Sequence, residues 1–127
     1  MIDIEREIIK SFIIDNKQER LLWELSSPRK RDAVIWKFAD ASLFKSNCLS
    51  PTNYMSAECL EKILFKKSRT SFVYFIGEDY IGQIPLKEAT QRTQAGEICI
   101  IYCGKGIGYY QGEEISGKPP RFFLNKN

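Results

Sequence analysis

The chain has no histidine among its 127 residues, and this removes much of the familiar catalytic repertoire. Histidine is the side chain that takes and returns a proton near neutral pH without a large pKa shift. Ser-His-Asp and Cys-His arrangements are therefore excluded outright. The cysteines are Cys48, Cys59, Cys99 and Cys103, none of them at CxxC spacing. A zinc site would have to gather all four thiolates from scattered segments, so the expectation is reduced, mostly buried thiols that pack as small hydrophobes. In a strand, Cys99 and Cys103 would share a face about 13 Å apart, too far to bridge. Two carboxylate pairs, Glu78-Asp79 and Glu113-Glu114, offer acid–base groups. Adjacent carboxylates in a turn or strand diverge into solvent, whereas catalytic tuning requires burial.

Gly104-Lys105-Gly106-Ile107-Gly108 has the glycine density of a phosphate loop. Such a loop must open into a helix N-terminus. Here Tyr109-Tyr110-Gln111 follows, which is strand-like, so the glycines read as a hairpin turn. Two basic runs, Arg29-Lys30-Arg31 and Lys66-Lys67-Ser68-Arg69, stand out, the second followed by Phe72, Tyr74 and Phe75. Cations beside aromatics on a sheet can bind single-stranded nucleic acid. The aromatic RNP signature is missing, so these aromatics are expected in the core. No cofactor and no metal are expected.

The element around which these residues arrange themselves is Glu97–Gln111. Ile98, Cys99, Ile100, Ile101, Tyr102 and Cys103 are apolar on both alternate faces, the pattern of a strand buried on both sides. With Gly108–Tyr110 as its return strand, it predicts a central hairpin that needs cover on both faces. Upstream, residues 2–25 predict one helix with a break near Asp15-Asn16. Ile4, Ile8, Ile9, Phe12 and Ile13, then Leu21, Leu22 and Leu25, form its inner stripe. Trp23 falls off that stripe, toward a second neighbour or the surface.

Ser27 suits a helix N-cap and Pro28 the first helical position. The three cations Arg29, Lys30 and Arg31 then sit in a first turn, against the helix dipole. Pairing with Glu19 or Glu24 would relieve them, and so would an acidic partner. Val34, Ile35, Phe38 and Ala39 predict the apolar side of this second helix, with Trp36 beside it. Residues 41–55 have little periodicity. Ser56 reads as the N-cap of a short helix carrying Leu60, Ile63 and Leu64.

Thr70–Ile76 predicts a strand, Gly77-Glu78-Asp79 a turn, and Tyr80–Pro85 irregular or briefly extended chain. Leu86–Gln94 predicts a helix and Arg121–Asn125 a last strand. The expected fold class is α+β, one domain over residues 1–127, with N-terminal helices packed on a small, mostly antiparallel sheet of three to four strands.

A hydrophobic fraction of 43% and an aromatic fraction of 13% are those of a packed globule. The net charge of +3 falls wholly within residues 1–69. A pI near 8.7 permits nucleic-acid binding without requiring it. No apolar run approaches the ~18 residues of a spanning helix. The opening, MIDIEREIIK, lacks the basic start of a secretory signal, so a cytoplasmic location is expected.

Three stretches together resemble a family. Lys17–Phe38 carries ERLL-x-EL-SSP-x-KR, Ile84–Ala89 reads IPLKEA, and Ile98–Gly112 precedes the terminal RFFL. In these the chain resembles small bacterial immunity proteins of contact-dependent growth inhibition and related polymorphic toxin systems. The resemblance implies a stoichiometric inhibitor that covers a cognate toxin C-terminal domain and needs neither cofactor nor catalytic residue. It implies an aromatic centre with a charged rim. The candidates are Glu78, Asp79 and Tyr80 in one turn, Glu113 and Glu114 beside Tyr109 and Tyr110, and the cluster Arg29, Lys30 and Arg31. A small nucleic-acid-binding accessory protein using the two basic runs is the alternative.

Overall fold

The computed structural model describes residues 3–114, 117 and 119–126. In it the apolar run Ile98–Cys103 divides its side chains between two faces. Ile98, Ile100 and Tyr102 enter one core with Tyr74, Ile76, Tyr110 and Leu124. Cys99, Ile101 and Cys103 enter a second core with Val73, Phe75, Ile84 and Tyr109. The period of two along a strand forces this split, and a strand so divided is stable only between two layers.

The strands are β1 Leu49–Thr52, β2 Phe72–Gly77, β3 Ile81–Pro85, β4 Cys99–Gly104, β5 Ile107–Gln111 and β6 Arg121–Asn125. They form one six-stranded sheet in the order β1-β6-β5-β4-β2-β3, with every pairing antiparallel. The expected three to four strands are thus too few. β1 arises in the stretch without periodicity, and β3 in the stretch expected to be irregular or briefly extended. Both are edge strands, where one side needs no partner and proline is tolerated: β1 contains Pro51 and β3 ends on Pro85. The expected hairpin β4–β5 lies at the middle of the sheet. It turns through Gly104 (φ +90°), Lys105 (φ +54°) and Gly106 (φ +74°), left-handed conformations that glycine takes without steric cost.

Helices α1 Asp3–Phe12 and α2 Asp15–Ser26, with the 3-10 helix Arg31–Ala39, cover the first face. The break between α1 and α2 falls at Ile13-Ile14, just before the expected position. Ile13 forms an antiparallel bridge with Phe44, and Ile14 N–H donates to the Leu43 carbonyl at 3.1 Å. Gln18 Nε2 donates to the Ile13 carbonyl at 2.8 Å, so the interrupted backbone stays paired.

The second expected helix starts later than Pro28 and is a 3-10 helix. Ser27 acts through its carbonyl, which accepts from Lys30 N–H at 3.1 Å and Arg31 N–H at 2.9 Å. Helices α3 Ala57–Ser68 and α4 Leu86–Arg92 pack on the opposite face through Leu60, Leu64, Leu86 and Ala89. The helices therefore lie on both faces of the sheet, the N-terminal ones on one. Ser56 caps α3 as expected, accepting from Cys59 N–H at 3.2 Å. Among the described residues no helix is long and apolar enough to cross a membrane.

Candidate protein-binding surface

The largest apolar groups that the fold leaves outside are Trp23, 55% exposed on α2, and Trp36, 56% exposed on the 3-10 helix. They are the chain's two tryptophans. Each lies on an element whose other side is fully engaged. Leu21 and Leu25 of α2 face the core, and so do Val34, Ile35 and Phe38 of the 3-10 helix. Neither tryptophan belongs to the inward apolar stripe of its element.

Cations attend Trp23. The Arg20 guanidinium carbon lies 5.7 Å from the ring centroid and Lys30 Nζ 5.2 Å from it, within cation–π range. Arg20 also approaches Glu24 at 3.8 Å along the helix. Lys30, Ala33 and Trp36 are spaced by three and all exposed. Lys30 accepts at its carbonyl from Ala33 N–H at 3.1 Å, so the 3-10 pattern begins there. Side chains three apart eclipse on such a helix, so these residues form one ridge. The surface runs from Trp23 through Lys30 to Trp36.

The run Arg29-Lys30-Arg31 is divided in its roles. Arg31 turns inward and holds Glu5, which has no exposed surface, rather than the expected Glu19 or Glu24. Tyr74 donates its hydroxyl to the same carboxylate. Arg29 and Lys30 point outward, and among the described residues neither forms an ion pair within 4.0 Å.

The acidic candidates lie beside the 3-10 helix, where β2 and β5 end. Asp79 and Tyr80 are exposed in the β2–β3 turn, while Glu78 is half-buried, its Oε2 accepting from Ile98 N–H at 3.0 Å. The Arg92 guanidinium stands 5.2 Å over the Tyr80 ring. Burial, with Glu78 and Asp79 nearby, pushes the Glu97 carboxyl above its ordinary range. Asp32 lines the same shallow cleft as Glu78, Asp79 and Tyr80.

Tyr109 and Tyr110 are not surface groups, contrary to expectation: they are 1% and 0% exposed. Tyr109 donates to Gln111 Oε1 at 2.8 Å, and Tyr110 donates to the Phe38 carbonyl. Glu113 and Glu114 are exposed beyond β5, with Glu113 N–H donating to the Ala39 carbonyl at 3.1 Å. Of the second basic run, Lys67 lies 4.2 Å over the Phe123 ring; of the aromatics expected in the core after it, Tyr74 and Phe75 are buried but Phe72, at the start of β2, is exposed.

The thiols offer little chemistry. Burial pushes Cys99 up to about 12 and Cys103 up to about 11, so neither supplies thiolate near neutral pH. Cys48 is buried and Cys59 is exposed. Among the described residues no three His, Cys, Asp or Glu side chains converge to hold a metal ion.

Sequence reasoning selects Arg29 and Lys30 but not Trp23 and Trp36. One signal was available: Trp23 lies off the α2 stripe, whereas Trp36 joins Lys30 only through the 3-10 repeat that the fold imposes. Comparison with protein-family models, with curated proteins and with solved structures finds no match to this chain.

Proposed function

We propose that this chain is a bacterial immunity protein that binds and neutralises a cognate toxin domain by one-to-one protein–protein inhibition, acting in the cytoplasm. The observation that carries the reading is the pair of tryptophans exposed on the outer side of a helical layer already packed on its inner side. Tryptophan and arginine are enriched among the few residues that dominate binding energy in protein interfaces. A cation-flanked aromatic surface on helices braced by a double-covered sheet is a preorganised docking face, which lowers the ordering cost of association. The sequence resemblance through Lys17–Phe38 falls on the same two helical elements. Inhibition by covering a surface requires no bond-making by the inhibitor.

The test is co-expression with the C-terminal domain of the large surface protein expected from the adjacent upstream gene. The expected result is protection of growth and a one-to-one complex on size-exclusion chromatography with light scattering. Neither protection nor a complex would overturn the reading.

A further inference from the structure

We infer that the ridge Trp23–Lys30–Trp36 is the docking face and that the partner meets it with an acidic surface, carboxylates placed against Arg20, Arg29 and Lys30 around the two indoles. This rests on the immunity reading and adds the chemistry of the toxin surface. The cations are available for it. Arg29 and Lys30 lack ion pairs among the described residues, and Arg20 has only a 3.8 Å approach to Glu24.

A protein partner fits this face better than a nucleic acid. Arg20 and Lys30 already engage the Trp23 ring, so a base could stack there only by displacing them. Arg31 is tied to Glu5, which leaves two cations of the run of three for phosphates. The exposed carboxylates of Glu19 and Asp32 also stand on these elements, and Asp40 follows directly after them. They oppose a continuous polyanion, but a protein surface of mixed sign can match them and gain orientation. The acidic end of the sheet is the weaker candidate, because Glu78 is half-buried with Ile98 N–H on its carboxylate and Tyr80 is less exposed than either tryptophan.

The experiment uses the full chain with the toxin domain of the neighbouring gene product. Trp23→Ala, Trp36→Ala and Lys30→Glu are each expected to weaken the complex at least about tenfold. Affinity should fall as salt rises. Glu78→Lys with Asp79→Lys should leave affinity within about threefold, as residues outside the energetic centre do.

Labelling this chain alone with 5-fluorotryptophan gives two 19F resonances, one for each tryptophan. Both should move on complex formation, a readout independent of whether the variants fold. A protective complex that moves neither resonance, or that tolerates all three substitutions within about threefold, overturns the docking face while the immunity reading stands. Absence of any complex overturns both. Tight binding of a single-stranded RNA or DNA oligonucleotide that is abolished by Lys30→Glu overturns the acidic-protein partner in favour of nucleic acid.

Discussion

Arg31 donates from Nη1 to Glu5 Oε1 at 2.6 Å and from Nη2 to Oε2, so a guanidinium clamps a carboxylate that has no exposed surface. The pair ties the 3-10 helix to α1, and Tyr74 adds β2 through its hydroxyl on the same carboxylate. The hydrogen bond to Glu5 pushes the Arg31 pKa still higher than usual, so the cation is permanent. Removing Arg31 leaves the Glu5 carboxylate buried and uncompensated. Arg31→Met should destabilise the fold by about 3 kcal/mol, and Glu5→Leu should do so more mildly, because its partner can swing toward water. The double variant Glu5→Leu/Arg31→Met should be more stable than the sum of the single losses predicts, since the two share one interaction. Urea unfolding of the four proteins measures this cycle; strict additivity would mean the clamp is not coupled.

Alkaline pH should unfold the protein through its buried hydroxyls and thiols. Burial pushes Cys103 up to about 11 and Cys99 and Tyr102 up to about 12. It carries Tyr74, Tyr109 and Tyr110 upward as well. In the unfolded chain these groups lose protons near their ordinary values of 9.0 for cysteine and 10.0 for tyrosine. Below about pH 9 both states hold the protons, and the contribution is fully present. Above it the unfolded state binds fewer protons. Stability then falls by about 1.4 kcal/mol per pH unit for each proton of difference, until the folded pKa values are passed. Urea midpoints should therefore decline steeply between about pH 9 and 12, and Tyr102→Phe should lower the slope by one proton. A flat profile across that range would contradict the burial of these groups.

Thiol reactivity should separate one cysteine from the other three. Cys59 is exposed on α3, and Cys48, Cys99 and Cys103 are buried. A neutral maleimide near pH 7 is expected to add once to the native protein and four times after denaturation, read by intact mass. Rapid native modification at Cys99 would mean that the sheet opens far more readily than its double cover implies.

The central hairpin and the face assignments of β4 were legible in sequence because a doubly buried strand has a composition of its own: Ile98–Cys103 contains no polar residue to mark a wet side. The outer strands were not. β1, Leu49–Thr52, reads LSPT, and its strand state comes from pairing with β6, not from local preference. Arg31 shows a second limit. Sequence placed it near Glu19 and Glu24 because those are close in the chain, while its partner is 26 residues away and reached only through packing. Tyr109 and Tyr110 looked like anchors beside exposed carboxylates. Their position at the middle of the sheet buries both, one in each core. The tryptophans went unselected because an amphipathic pattern identifies the inward stripe and says little about which outward residue has work to do.

The tightest approach in the hairpin explains one glycine. Gly108 of β5 stands opposite Tyr102 of β4, and a Cβ built on it would lie 2.4 Å from the Ile101 carbonyl oxygen. That neighbour is backbone in the central strand pair, so it cannot rotate away as a side chain would. Gly108→Ala must separate β4 from β5 locally, and it should cost about 1–3 kcal/mol, the range of overpacking strain. Gly96 supplies the contrast: its φ is +77° and no atom lies within 4 Å of the added Cβ. Gly96→Ala should lose only about 1–2 kcal/mol, from the left-handed backbone alone, and Gly96→Asn less, because asparagine tolerates that region. Gly108→Asn should be worse than Gly108→Ala, because a larger group meets the same carbonyl. Thermal unfolding of the four variants orders them; Gly108→Asn melting above Gly108→Ala would show that the strand pair is looser at this point than the 2.4 Å approach requires.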